Sequence, residues 1–401
     1  MRTLNGIRKA AIATLLCLVA GLGNSCSRRP GPPAGIPAER APQFVFFTSD
    51  DVGLSGLPGS GGEGGLHFLI ELFAGRRNPA GAGNAQTFDG GPLHFTFFVN
   101  TFFIDRASFS SAAARGRGFR EDPVYVKRAW REAVDAGHEI ALHTHSHPHG
   151  ASFSVDEWRA EIRKNIEYLT RPWDPGETPE RPNPASGLGM APGEILGFRA
   201  PFAEYNDNAL EAAAREGLLY DSSVEVPGQK SRGPADFPWP FLLDRGWTGS
   251  GPVLGAHPGL WEIPIYDFIV PPDEDCPRFG LTPGFRARLK TVQDYFLPSN
   301  GEITGMDWNL LQEFHMSPDE YLAVLKYSLD RHLSGDRCPM IVGLHTDLYS
   351  DKRPGHEGES SPAARREVLR KFLEYALSKP DVRVVNCREL LLWMASPAPL
   401  R

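Results

Sequence analysis

The sequence predicts an α/β fold built on parallel strands. Three observations lead there. Short runs that are apolar on both faces recur, as in Phe44-Val45-Phe46-Phe47-Thr48, Phe95-Thr96-Phe97-Phe98-Val99 and Met340-Ile341-Val342-Gly343-Leu344, and strands without a wet face belong to sheets covered on both sides. Amphipathic stretches of helical period alternate with these runs, which implies right-handed crossovers between parallel strands. The residues able to do chemistry come just after the strands, at what would be the active end of an α/β barrel.

The elements follow in order. The strand at 44–48 ends in Ser49-Asp50-Asp51. Gly53 to Gly65 is a Gly-rich loop without the lysine of a phosphate cradle. Leu66–Phe73 is a helix, Gly75 to Gly91 a loop, and 95–99 the second strand. Val124–Ala136 is an amphipathic helix stopped by Gly137. Glu139 to Leu142 is a short buried strand. Ser154 and Glu157 form a capping-box pattern that opens a helix to Thr170. Residues 171–193 are Pro-rich loop. Ile195–Phe198 is a strand ending at Arg199, and Asp207–Glu216 a helix with Asp207 as its cap. Leu218–Tyr220 is a strand ending at Asp221-Ser222-Ser223. Residues 227–317, with Trp239, Trp247 and Trp261, lack clear period and read as an insertion around the strand Leu260–Ile265. Regular order returns with a helix Pro318–Leu333 and the strand that delivers His345. A helix Pro362–Leu377, a strand Val382–Val385 and a helix Cys387–Met394 close a domain spanning 43–396.

The 401 residues carry a formal charge of -7. Arg2, Arg8 and Lys9 are unopposed by acid in residues 1–26, so a processed chain would be near -10. That excludes a nucleic-acid partner of the usual basic kind. The basic start, the apolar run Ala10 to Gly23 and Asn24-Ser25-Cys26 predict an export signal, similar to a lipoprotein signal with Cys26 as the lipidated residue. The apolar run is short for a membrane span. Contact with a membrane is thus expected only through a lipid at Cys26, on a protein that is periplasmic or extracellular. Residues 27–42, rich in Pro, Arg, Ala and Gly, read as a linker. Of five cysteines, Cys276, Cys338 and Cys387 lie in the domain, where one pair could form and zinc-finger spacing is absent.

Four of the twelve histidines fall between His143 and His149. His143 and His147 are four apart, a spacing that would put both imidazoles on one side of a helical turn. Two imidazoles and one carboxylate hold a divalent ion with positions left open. Adjacent acids such as Asp50 and Asp51 can divide the work, one binding metal and one accepting a proton. An arginine beside the second keeps it ionised and oriented, and a histidine on the opposite wall can protonate a leaving amine. His145 and His149 alternate with the candidate ligands and are expected to face away. His138 and Asp347 read as structural.

Three motifs carry a resemblance. Thr48-Ser49-Asp50-Asp51-Val52, His143-Thr144-His145-Ser146-His147 and Arg199-Ala200-Pro201-Phe202 resemble, in order, those of the polysaccharide deacetylase (NodB-homology, carbohydrate esterase family four) family. Tyr220-Asp221-Ser222-Ser223, Trp261-Glu262-Ile263-Pro264 and Leu391-Leu392-Trp393-Met394 resemble its chitin-deacetylase-like branch. Ser49 and Val52 depart from the usual Phe and Gly, and the Trp of the family's fourth motif has no counterpart near Asp221. The resemblance implies a distorted (β/α) barrel with fewer strands than eight and long loop insertions. It implies Asp51, His143 and His147 as ligands of a divalent metal, Zn first and Co, Ni or Mn as alternatives. It implies Asp50 as the base, Arg199 as its orienting partner and His345 as the acid. The Phe202 N–H would meet the oxyanion, Asp221 would line the pocket or tune His345, and Trp261 or Trp239 would stand in for the missing Trp. The expected activity is removal of N-acetyl groups from N-acetylglucosamine-containing glycans: chitin-like polymer, oligosaccharide or peptidoglycan. The alternatives are a non-catalytic glycan-binding or matrix protein of the same fold, and a deacetylase acting on O-acetyl esters or another small amide.

Overall fold

The computed structural model describes residues 31–109, 121–226, 237–353, 355 and 358–401. The expected export segment with Cys26, the first residues of the linker and residues 227–236 lie outside the described residues.

β1 (Gln43–Asp50) is buried along its whole length. It has apolar partners on both faces, as its sequence requires. β2 (Thr96–Val99), β3 (Glu139–Leu142), β4 (Gly197–Phe198), β5 (Tyr220–Asp221), β7 (Phe241–Leu242), β8 (Trp261–Glu262), β12 (Met340–His345) and β13 (Val382–Val384) join it in a nine-stranded sheet ordered β12-β1-β2-β3-β4-β5-β8-β7, with β13 also on β1. All pairs are parallel except β7 on β8. The sheet curls into an incomplete barrel, the fold class expected. Two small pairs add to it: β6 (Glu225–Val226) with β9 (Ile265–Tyr266), and β10 (Phe268–Ile269) with β11 (Glu302–Ile303). Met306 bridges to Gly343 of β12.

The helices form where caps and period specify them. α1 spans Gly65–Phe73. α2 (Pro123–Asp135) begins at Asp122, whose side chain accepts from the Val124 N–H, and stops at Gly137 with φ 89°, a left-handed conformation that costs glycine little. α3 (Val155–Thr170) carries the Ser154/Glu157 capping box. α4 covers Asp207–Arg215 and α5 covers Phe285–Val292. α6 (Pro318–Ser334), α7 (Pro362–Leu377) and α8 (Cys387–Ala395) all begin at side-chain caps.

Several expectations need correction. α4 is capped by Asn206, which accepts from the Ala209 N–H. Asp207 instead accepts from Gly255 N–H and pairs with His257 at 2.8 Å. The strand at 218–220 sits one to two residues later, at 220–221, because Leu219 and Tyr220 N–H both reach the Leu196 carbonyl before regular pairing starts. The strand at 260–265 is split into β8 and β9 by Ile263-Pro264, since proline cannot donate to a ladder. Trp239, named as a stand-in for the missing Trp, is buried and stacks on Trp393 at 5.6 Å. Cys276, Cys338 and Cys387 are all buried free thiols.

Register places the chemistry. Asp50 pairs with His345, Leu142 with Phe198, and Phe198 with Asp221. The residues that end or follow these strands therefore share one rim. Gly197 is required beneath that rim, because a Cβ there would lie 2.0 Å from the Tyr220 ring.

The Pro-rich loop after α3 is tied to α2 by a buried charge. Lys127 Nζ donates to Glu177 Oε2 at 2.8 Å and to Ser186 Oγ at 2.6 Å, with both charged side chains at most 5% exposed. Removing one partner strands the other charge. Lys127→Ala is therefore expected to lower unfolding free energy by about 3 kcal/mol, measured by urea denaturation.

Candidate active site

β1 ends in Asp50, and the chain then turns sharply at Asp51 with φ 52°. After β3 the chain adopts left-handed conformations at Thr144 (φ 66°) and His147 (φ 57°). His143 and His147 are thus brought together by a strained turn and not by the helical turn their spacing suggested. That turn is tied down on every side. Asn100 donates to the His143 carbonyl, and Asn165 donates to the Val99 and Thr144 carbonyls at 2.8 and 2.7 Å. His147 N–H donates to Thr144 Oγ1 at 3.1 Å. Strain of this kind persists only where surrounding contacts over-determine it.

The ligating atoms of Asp51, His143 and His147 all lie within 4.8 Å of one another. Asp51 Oδ1 is 3.3 Å from His147 Nε2, and the two imidazole centroids are 5.1 Å apart. His143 Nδ1 lies 2.8 Å from the Arg199 carbonyl. A carbonyl can only accept, so Nδ1 carries the proton and Nε2 presents a lone pair. Burial pushes the His143 pKa down, favouring the neutral ring that binds metal.

Asp50 lies beside this cluster without belonging to it. Its Oδ1 accepts from Arg199 Nη1 at 2.8 Å, while Oδ2 is 3.9 Å from His143 Nε2. Arg199 also donates to Thr48 Oγ1 at 3.0 Å, to the Ser222 carbonyl at 2.9 Å and to Ser222 Oγ at 2.8 Å. Its guanidinium lies over the Phe98 ring. The arrangement leaves one Asp50 oxygen free to take a proton.

His345 ends the neighbouring strand. Its Nδ1 is 2.7 Å from Asp307 Oδ1, and its N–H donates to Asp307 Oδ2 at 3.0 Å. Burial pulls the imidazole pKa down, but the hydrogen bond and charge of Asp307 outweigh it and raise the pKa to about 9. Asp307 and not Asp221 is the carboxylate on His345, and it escaped the sequence reading. Its signal was a carboxylate next to Trp308 in the aperiodic stretch before α6. Trp308 is 43% exposed with its ring 5.9 Å from His345.

Asp221 is fully buried and accepts from Ser223 N–H and Oγ–H, both at 2.8 Å. It pairs in register with Glu262. Burial first, then the Asp221 charge, raise Glu262 well above the carboxylate range, so Glu262 holds the proton between them. Trp261 precedes Glu262, so its side chain points to the opposite face of the sheet. Phe202 sits after β4 with φ 59° and is 54% exposed. Its ring packs 4.4 Å from His147 and stacks 4.1 Å from His149. His149 therefore touches the site's margin instead of facing away. His145 is buried, 2.9 Å from Thr101 Oγ1. Asp347 is paired with Arg353 at 3.1 Å.

The chain is similar to several known proteins. Residues 85–179 match the family model described as polysaccharide deacetylase. The chain is similar to chitin deacetylase 8 of Bombyx mori, 23% identical over 378 residues that cover 92% of this chain and 74% of the relative. It is also similar to a peptidoglycan-N-acetylglucosamine deacetylase of Bacillus cereus, 29% identical over 196 residues, covering 47% of this chain and 62% of the relative. Among solved structures, PuuE allantoinase overlaps loosely, with TM-score 0.45 and 16% identity across 94% of this chain and 99% of that one.

The Asp307–His345 pair has a pH signature. Its folded-state pKa of about 9 exceeds the ordinary 6.5. The stabilisation is complete below pH 6.5 and is lost as pH rises through 9. Asp307→Asn should therefore destabilise the metal-free protein more at pH 6 than at pH 9.5, measured by denaturant unfolding at the two values. An equal loss at both would refute the charge pairing.

Proposed function

We propose that this chain, a relative of the polysaccharide deacetylases, is a metal-dependent hydrolase that removes N-acetyl groups from N-acetylglucosamine-containing glycans. The observation that carries the reading is one rim bearing a two-histidine, one-carboxylate cluster, a separate carboxylate beside it and a histidine paired with a buried aspartate. The cluster fits a divalent ion, because His143 is fixed with its Nε2 lone pair presented and a carboxylate oxygen stands within reach of both rings. Two imidazoles and a carboxylate suit Zn²⁺ best, and accept Co, Ni or Mn. When bound, such an ion would polarise the acetyl carbonyl and acidify water at neutral pH.

The chain's own groups supply the rest. Asp50 would take the proton of the attacking water on Oδ2, since Arg199 occupies Oδ1. His345, charged at neutral pH, would pass a proton to the departing amine. The turn at Phe202 would place a backbone N–H toward the oxygen that gains charge. The exposed rings of Phe202 and Trp308 would meet sugar faces on either side. A glycan-binding relative without turnover would lack base or ligands, and Asp50, Asp51, His143 and His147 are all present. The basic, apolar start of the sequence supports a reading in which the protein acts outside the cytoplasm, where Cys26 would be the residue to carry a lipid. No helix among the described residues is long and apolar enough to cross a membrane.

The test is acetate release from chito-oligosaccharides by zinc-reconstituted protein. Asp50→Asn should lower kcat by about 10²- to 10⁴-fold while zinc stoichiometry stays at that of the wild type. His143→Ala should lose the zinc. Release of no acetate from any N-acetylated glycan, with zinc bound, would sink the proposal.

A further inference from the structure

The chain places a buried relay behind the turn that carries Phe202. Ala200 N–H donates to Ser223 Oγ at 2.8 Å. Ser223 in turn donates its hydroxyl proton to Asp221 Oδ1 and its N–H to Asp221 Oδ2, each at 2.8 Å. Asp221, Ser223 and Ala200 are all fully buried. A hydroxyl can donate or accept, but an ionised carboxylate only accepts. Asp221 therefore takes the Ser223 proton and fixes the hydroxyl rotor, so that a lone pair faces Ala200. One strand further, Glu262 Oε1 accepts from Val224 N–H at 3.2 Å and closes the far side of the loop. Next to Ala200, Arg199 is held by Ser222 through two hydrogen bonds. Two consecutive residues after β5, Ser222 and Ser223, thus grip the segment after β4.

That grip has a consequence at the surface. Phe202 and Ala203 both stand at positive φ, 59° and 51°, which non-glycine residues adopt only when their surroundings compel it. Beyond Ala200 the backbone bonds of the turn are local, Ala203 N–H to the Ala200 carbonyl at 3.2 Å and Glu204 N–H to the Pro201 carbonyl at 3.0 Å, while its side chains meet the histidine segment through Glu204 on His149 at 3.0 Å and the Phe202 ring on His147 and His149. The Ala200 N–H is the backbone bond that ties the turn to the segment after β5.

We propose that Asp221 and Ser223 are positioning residues for the reaction: they lock the Ala200–Phe202 turn and so aim the Phe202 N–H at the developing oxyanion. The catalytic consequence rests on the deacetylase reading, but the structural lock does not.

Two measurements on the full chain test this. In the zinc-loaded protein, Ser223→Ala should lower kcat for chito-oligosaccharides by about tenfold to a hundredfold, the range for a misplaced oxyanion donor. KM and zinc affinity should stay within about twofold of wild type, since neither substrate nor metal touches the relay. Ser223→Thr, which keeps the hydroxyl, should restore most of the rate. In the metal-free protein, amide hydrogen exchange at 200–203 should quicken in Ser223→Ala, with the β1 amides unchanged. Unchanged exchange at 200–203 in folded Ser223→Ala overturns the proposal, as does a loss of zinc affinity that accounts for the lost rate. If wild-type protein releases no acetate, the deacetylase reading has failed, and the exchange result alone decides whether the lock exists.

Discussion

Arg199 is the interaction on which the site depends. Its guanidinium is 1% exposed and reaches Thr48 and Asp50 on one strand and Ser222 after another. Its carbonyl sets the tautomer of His143. One residue therefore orients the candidate base, fixes a candidate ligand and anchors the loop after β5. A buried guanidinium is tolerable only when its donors are satisfied. Here the Nε and both terminal nitrogens have partners, with the Phe98 ring against one face.

The rim around Arg199 is crowded with acids that differ only in their surroundings. Asp50 faces a guanidinium and is the proposed base. Asp307 faces an imidazole and keeps it charged. Asp221 and Glu262 have each other, the Ser223 hydroxyl and two N–H donors but no ion-pair partner among the described residues, so together they hold a proton. The same functional group thus stands as proposed base, as counter-ion and as structural acceptor. A parallel sheet makes this possible, because every strand delivers its next residue to the same end.

The local grammar of the chain was legible without coordinates. The run at 44–48 could only be a strand buried on both faces, and Ser154 with Glu157 could only begin a helix. The three spaced motifs pointed to Asp50, Asp51, His143, His147 and Arg199 because those residue types suit one chemistry. Asp307 was not legible. It lies in an aperiodic stretch, and nothing in its neighbours announces that Gly305 and Met306 pair with β12. Trp308, exposed beside His345, lies in the same stretch and was not legible for the same reason.

What the sequence determined by itself is the set of elements and the kinds of groups at their ends, since caps, period and breakers act over a few residues. What only the tertiary structure decided is which of those groups meet. His345 finds Asp307 and not Asp221, and Asp221 reaches back through Ser223 to Ala200. Such pairings depend on strand register and on where long loops return. Burial energy over the whole chain sets both, and no short window of residues records them.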